Sequence, residues 1–149
     1  MNHKLFLDTN ILLDFCVPGR PEPEGSVCLL TDIEFQAVDA VIHSGQLKDM
    51  YYILDGSGSE IAARSNVAGA LSSLDVIPLT PEICKQALAC DEPDFEDGLI
   101  RICAEQEGVD YIISRDKEAY RNSKIKRLSA QEYIERSKEW HKIDFSLQF

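Results

Sequence analysis

Five short apolar runs alternate with helix-forming stretches, and no other feature of this chain constrains its fold more tightly. Leu5-Phe6-Leu7, residues 37–42, Val76-Ile77-Pro78-Leu79, Tyr111-Ile112-Ile113 and residues 125–128 have the length and apolar content of buried strands. Between them, helices are predicted over residues 11–15, 25–36, 44–54, 60–74, 81–89, 91–107 and 129–140. Ser44 and Ser129 are suited to N-caps, Thr80-Pro81 is a strong helix start, and Gly108 is a stop. Strands separated by helices predict an α/β fold around a largely parallel sheet of about five strands. Pro78 places the third strand at a sheet edge, because a proline cannot donate to a ladder. The 149 residues fit one folded domain, placed at residues 1–136, with a C-terminal tail at 137–149 in which residues 141–149 show no clear period.

Composition narrows the function classes. Twenty-six acidic residues stand against 15 basic ones, for a net charge of −11. That balance argues against strong non-specific attraction to nucleic acid or an anionic membrane, since phosphate binding relies on Lys and Arg. It leaves room for a nucleic-acid substrate if bound cations cancel charge where phosphate approaches. The five cysteines are odd in number, show no C-x-x-C spacing and mostly sit among apolar neighbours, as expected of reduced thiols in a cytoplasmic protein. No signal peptide is expected at Met1-Asn2-His3-Lys4, and no apolar run approaches the roughly 20 residues that cross a bilayer.

The chemistry lies in acidic residues that leave apolar runs at separate points. Asp8 follows Leu5-Phe6-Leu7, and Asp116 follows the Tyr111 strand by way of Ser114-Arg115. In parallel α/β sheets, ligands gather at the carboxyl ends of strands, so these two aspartates are expected at one sheet edge. Asp94 and Asp97 are three apart, which on a helix puts both on one face. The macrodipole alone favours acids there. However, Gly98, Leu99, Ile100, Ile102 and Cys103 follow Asp97, so it borders the apolar part of the helix and needs a partner. Asp49 sits early in its helix beside Lys48, where a solvated surface charge is an equal alternative. Asn10, two residues after Asp8, can donate to its carboxylate or simply cap a helix. Among the cations, Arg115 and Lys117 flank Asp116 and are the best candidates for substrate binding, with Arg20, Lys48 and Arg121 behind them. Converging carboxylates call for a hard divalent cation.

These motifs resemble the PIN-domain family, and most closely its bacterial branch of VapC-type toxins. The resemblance rests on L-D-T-N-I-L-L-D-F, on D-F-E-D-G-L-I-R-I-C-A and on I-S-R-D, and spans residues 5–135. It implies a three-layer α/β/α PIN-like domain. It further implies Mg²⁺- or Mn²⁺-dependent hydrolysis of single-stranded RNA, with Asp8, Asp97, Asp116 and Asp49 catalytic. Asp8, Asp94, Asp97 and Asp116 would hold metal, and Asn10 and Ser114 would support them. It implies a homodimer, a toxin of a type II toxin–antitoxin pair silenced by a small antitoxin. One departure stands out: the family's second acidic position is often Glu, whereas the best match here is the shorter Asp49. That departure leaves open an RNA-binding or regulatory PIN fold with weak or lost catalysis.

Overall fold

A computed structural model of the chain describes residues 2–17, 19–20 and 23–146. Five strands form one fully parallel sheet: β1 (His3–Leu7), β2 (Val38–His43), β3 (Asp75–Ile77), β4 (Tyr111–Ile113) and β5 (Lys126–Leu128). Seven helices accompany them among the described residues: α1 (Thr9–Cys16), α2 (Pro23–Glu34), α3 (Ser44–Ser57), α4 (Glu60–Ser73), α5 (Pro81–Ala89), α6 (Phe95–Glu107) and α7 (Ala130–Ser146). The strand order is β3-β2-β1-β4-β5. The chain therefore builds outward on one side of β1 and then crosses to the other. The switch point falls between β1 and β4, where a parallel sheet opens a crevice at its carboxyl edge.

The pleat of β1 shows why three layers form. Leu5 and Leu7 point to one face and meet Leu12 of α1, Leu29 and Ile33 of α2, and Tyr133 and Ile134 of α7. Phe6 points to the other face and meets Ile83 of α5 with Leu99, Ile100 and Cys103 of α6. All three β1 side chains are fully buried, and each such burial contributes about 1.5–3 kcal/mol. The α3–α4 hairpin closes a third, smaller cluster through Met50, Leu54, Ala63 and Ala70.

Three boundaries differ from the sequence reading. The helix expected from residue 91 starts at Phe95, capped by Asp94, whose Oδ1 accepts from the Glu96 amide at 2.8 Å. Residues 91 and 92 are instead engaged by Arg101. The last helix continues through Ser146, because the Glu- and Lys-rich residues 135–142 hold no Gly or Pro and outweigh the missing apolar period. Of the expected tail, residues 147–149 lie outside the described residues, as do 18, 21 and 22 of the proline-rich break. Finally, His43 belongs to β2, buried against Phe6, and burial lowers its pKa to about 4, so it is neutral and structural.

Candidate active site at the sheet switch point

Leu7 pairs with Ile113 in register, so Asp8 and Ser114 leave the sheet side by side. The Asp8 amide donates to the Ile113 carbonyl at 3.0 Å, which fixes that exit. Asp8 occupies the N-cap position of α1, yet its side chain makes no capping bond. It is only 7% exposed and accepts instead from the Ser114 hydroxyl at 2.7 Å and the Tyr120 hydroxyl at 2.8 Å. The same Tyr120 oxygen lies 3.3 Å from Oδ1 of Asp97 on α6. One phenol thus stands between two carboxylates that are far apart in sequence. Asp116 follows on the same loop, its amide bonded to Ser114 Oγ and its Oδ1 accepting from the Glu118 and Ala119 amides.

The electrostatics of this cluster are those of surplus negative charge. Burial, then the charge of Asp8, raise the Asp97 carboxyl to about 6; Asp94 and Asp116 push the same way and the Tyr120 hydrogen bond opposes them. Glu96 is also raised, by burial first and then by Asp49, Asp94 and Asp8. Tyr120 is raised far above its ordinary value by burial and by the two carboxylates, so it stays a neutral donor. Asp49 and Glu96 share a cleft of about 400 Å³ with Thr9, Lys48 and Tyr52. Asp94 is exposed and serves as the α6 cap. Asn10 Oδ1 is buried with no hydrogen-bond partner among the described residues.

The flanking cations divide in use. Arg115 reaches back to Asp14 of α1 at 3.2 Å, a carboxylate that also accepts from Arg20 at 2.9 Å and Ser26 at 3.1 Å. Lys117 is exposed and makes no ion pair among the described residues.

Tyr120 was not legible from spacing, and its placement depends on unusual backbone. Its φ is +66°, a left-handed conformation that non-glycine residues adopt at a cost and that is common at functional sites. Arg101 of α6 stabilises that loop. It pairs with Asp91 and with Glu92 at 3.4 Å and Glu105 at 3.2 Å, and donates to the Asn122 carbonyl at 2.9 Å. Glu92 in turn accepts from the Tyr120 amide at 3.3 Å. Gln46 performs a similar task on the other side, donating to the Leu7 carbonyl at 2.8 Å and to Thr9 at 3.2 Å while accepting from the His43 amide.

The donor set is all oxygen and mostly carboxylate, which suits Mg²⁺ or Mn²⁺ and not a soft metal. As placed, no three His, Cys, Asp or Glu side chains among the described residues close into a ligand cluster. Mutual repulsion among carboxylates disfavours a closer cluster, and the charge of Asp8 adds to burial in raising Asp97.

The direction of that shift gives a pH prediction. Asp97 has a folded pKa above its unfolded value, so its contribution to stability is present at low pH and lost as pH rises through about 6. In EDTA at pH 7.5, Asp97→Asn is expected to stabilise the protein by about 1 kcal/mol, a two-unit shift discounted for partial exposure. The gain should shrink as pH falls from 6 to 4. A pH-independent difference in thermal midpoint between the two proteins would show that the carboxylate field is not felt at Asp97.

An acidic crevice at the switch point of a parallel sheet is a site for cations and for ligands that a bound cation carries. The PIN domain family model matches residues 4–118, and the chain belongs to the PIN-domain family. Several solved structures share the fold. VapC20 of Mycobacterium tuberculosis, a Sarcin-Ricin loop cleaving toxin, superposes with a TM-score of 0.65 at 17% identity over 76% of this chain and 91% of that one. A toxin–antitoxin complex from Klebsiella pneumoniae gives 0.64 at 19% identity, over 85% and 97%. FitAcB from Neisseria gonorrhoeae gives 0.62 at 17% identity, over 85% and 98%. No curated protein sequence matches the chain. No helix among the described residues is long and apolar enough to cross a membrane.

Proposed function

We propose that this protein is a metal-dependent endoribonuclease that hydrolyses phosphodiester bonds in single-stranded RNA, acting in the cytoplasm as the toxin of a type II toxin–antitoxin pair. The observation that carries the reading is the meeting of Asp8 and Asp97 at one buried phenol, with Asp97 raised to about 6 by burial first and then by the charge of Asp8. Asp8, Asp97 and Asp116 are the groups that would hold Mg²⁺ or Mn²⁺, with Asp94 as accessory and Asp49 on the far side of the adjoining cleft. Bound there, the ion supplies Lewis acidity toward phosphoryl oxygens and an acidified water. The chain's own groups orient. Ser114 and Tyr120 hold the Asp8 carboxylate in one rotamer, and Asn10 offers a free acceptor beside it in sequence. Lys117 flanks Asp116 and would face the phosphate, while Arg115, the other cation expected there, is engaged with Asp14. The toxin role and the small antitoxin partner are supported by the likeness to toxin–antitoxin complexes, and the homodimer is proposed on the family resemblance alone.

Purified protein with a labelled single-stranded RNA is expected to cleave it in Mg²⁺ or Mn²⁺, to stop in EDTA, and to lose activity in Asp116→Asn. Binding of RNA without cleavage in either metal would favour the second reading, an RNA-binding or regulatory module with weak or lost catalysis. The shorter Asp49, standing where the family often has Glu, is the observation that keeps that reading in play.

A further inference from the structure

Positive charge is scarce in this chain, and it is concentrated in one place. Six of the 15 lysines and arginines fall in residues 115–127, against two acidic residues in the same stretch. Five of the six, Lys117, Arg121, Lys124, Lys126 and Arg127, line a cleft of about 340 Å³ with no carboxylate among the lining residues. Lys117, Lys124 and Lys126 are exposed and pair with no acid among the described residues. Among the described residues Arg121 pairs with the exposed Glu118, at 2.6 Å.

The cleft adjoins the acidic centre. Tyr120 belongs to its wall and also reaches Asp8 and Asp97 through its hydroxyl. Arg127 of β5 donates to the Ser114 carbonyl at 2.7 Å, tying the basic strand to the loop that carries Asp116. β5 is an edge strand, and edge lysines discourage unwanted strand pairing. That role accounts for a charge on the strand itself. It does not account for Lys117, Arg121 and Lys124, which lie outside the strand and converge on the same cleft.

We propose that this cleft binds the sugar–phosphate backbone of the single-stranded RNA and leads the strand past Tyr120 into the acidic centre. The inference rests on the nuclease reading above and adds the route by which substrate approaches. In a chain of net charge −11, an incoming polyanion finds its attractive field here, where unpaired ammonium groups line a concave surface. Most of the cleft lies beyond residues 4–118, the part that the family model matches.

The test measures binding of a labelled 20-nucleotide single-stranded RNA by fluorescence anisotropy in EDTA, across a range of KCl. Lys124→Gln with Lys126→Gln is expected to weaken binding about tenfold at moderate salt and to flatten the plot of log affinity against log salt by about 1.4, the loss of two single-strand phosphate contacts. Arg64→Gln with Lys85→Gln changes net charge equally at a distance and should leave binding within about twofold. Equal losses in the two pairs, or no loss in the first, would overturn the proposal. A polyglutamate peptide that binds as tightly as the RNA at the same ionic strength would make the cleft an acidic-protein site and overturn it too. Failure of the nuclease reading looks different: RNA still binds and still depends on Lys124 and Lys126, but nothing is cleaved when Mg²⁺ or Mn²⁺ is restored.

Discussion

Asp8→Asn is expected to reduce metal-dependent RNA cleavage by roughly 10³-fold, because a cation's stabilisation of transition-state charge amounts to several kcal/mol and each 1.36 kcal/mol is a factor of ten. The substitution is nearly isosteric and Asp8 is buried, so the size of the loss would report charge and not packing. An Asn side chain can still accept from Ser114 or Tyr120 through its oxygen, but it cannot accept from both neighbours and also hold a cation by charge. Thermal midpoints separate the two roles. Mn²⁺ should raise the midpoint of the wild type and raise that of Asp8→Asn much less. Tyr120→Phe is the informative companion: it removes the hydroxyl between Asp8 and Asp97 while leaving both carboxylates. If the phenol orients Asp8, activity falls in Tyr120→Phe, by less than in Asp8→Asn, and the metal-induced rise persists. Cleavage at wild-type rates in Asp8→Asn would remove Asp8 from the reaction and with it the nuclease reading of this site.

The two halves of the site differ in how far spacing alone could reveal them. Asp8 and Ser114 follow directly on apolar runs, and a parallel sheet with its switch point at β1 must bring such positions together. Asp97 was visible because the small and apolar residues after it put its helix face against the core. Tyr120 left no such trace. It lies seven residues past the end of β4 in a stretch without period, reaches the site through a left-handed backbone, and depends on Arg101 and Glu92 from other elements. Glu96 was hidden for a different reason. It sits in the acid-rich first turn of α6, where the helix dipole already explains a carboxylate, and only the cleft it shares with Asp49 of α3 sets it apart. The basic cleft was only half visible: Lys117 and Arg121 stood out near Asp116, but Lys126 read as part of the fifth strand and Lys124 as the residue just before it. Sequence distance is a poor guide wherever a loop folds back on a strand end.

Arg101 offers the largest expected effect on stability. Its side chain is 13% exposed and faces Glu92 at 5% and Glu105 at 19%, with Asp91 more open at 57%. Arg101→Met keeps the length of the side chain and removes the charge, leaving two largely buried carboxylates without a cation. Stranding one side of a buried pair typically costs about 3–5 kcal/mol. For a domain of this size each kcal/mol moves the midpoint by about 2–4 °C, so a fall of roughly 10 °C is expected at pH 7. Arg101→Lys should recover only part of it, since a single ammonium cannot span Asp91, Glu92, Glu105 and the Asn122 carbonyl as a planar fork does. Adding Glu92→Gln to Arg101→Met should restore part of the loss, because it removes one of the stranded charges. The same net fixes the loop that carries Tyr120 and the basic cleft, through Glu92 to the Tyr120 amide and Glu105 to the Lys124 amide. Arg101→Met should therefore also weaken RNA cleavage at temperatures where it remains folded. A midpoint within about 1 °C of wild type would place Arg101 among exposed ion pairs of negligible worth and leave the left-handed turn at Tyr120 without its support.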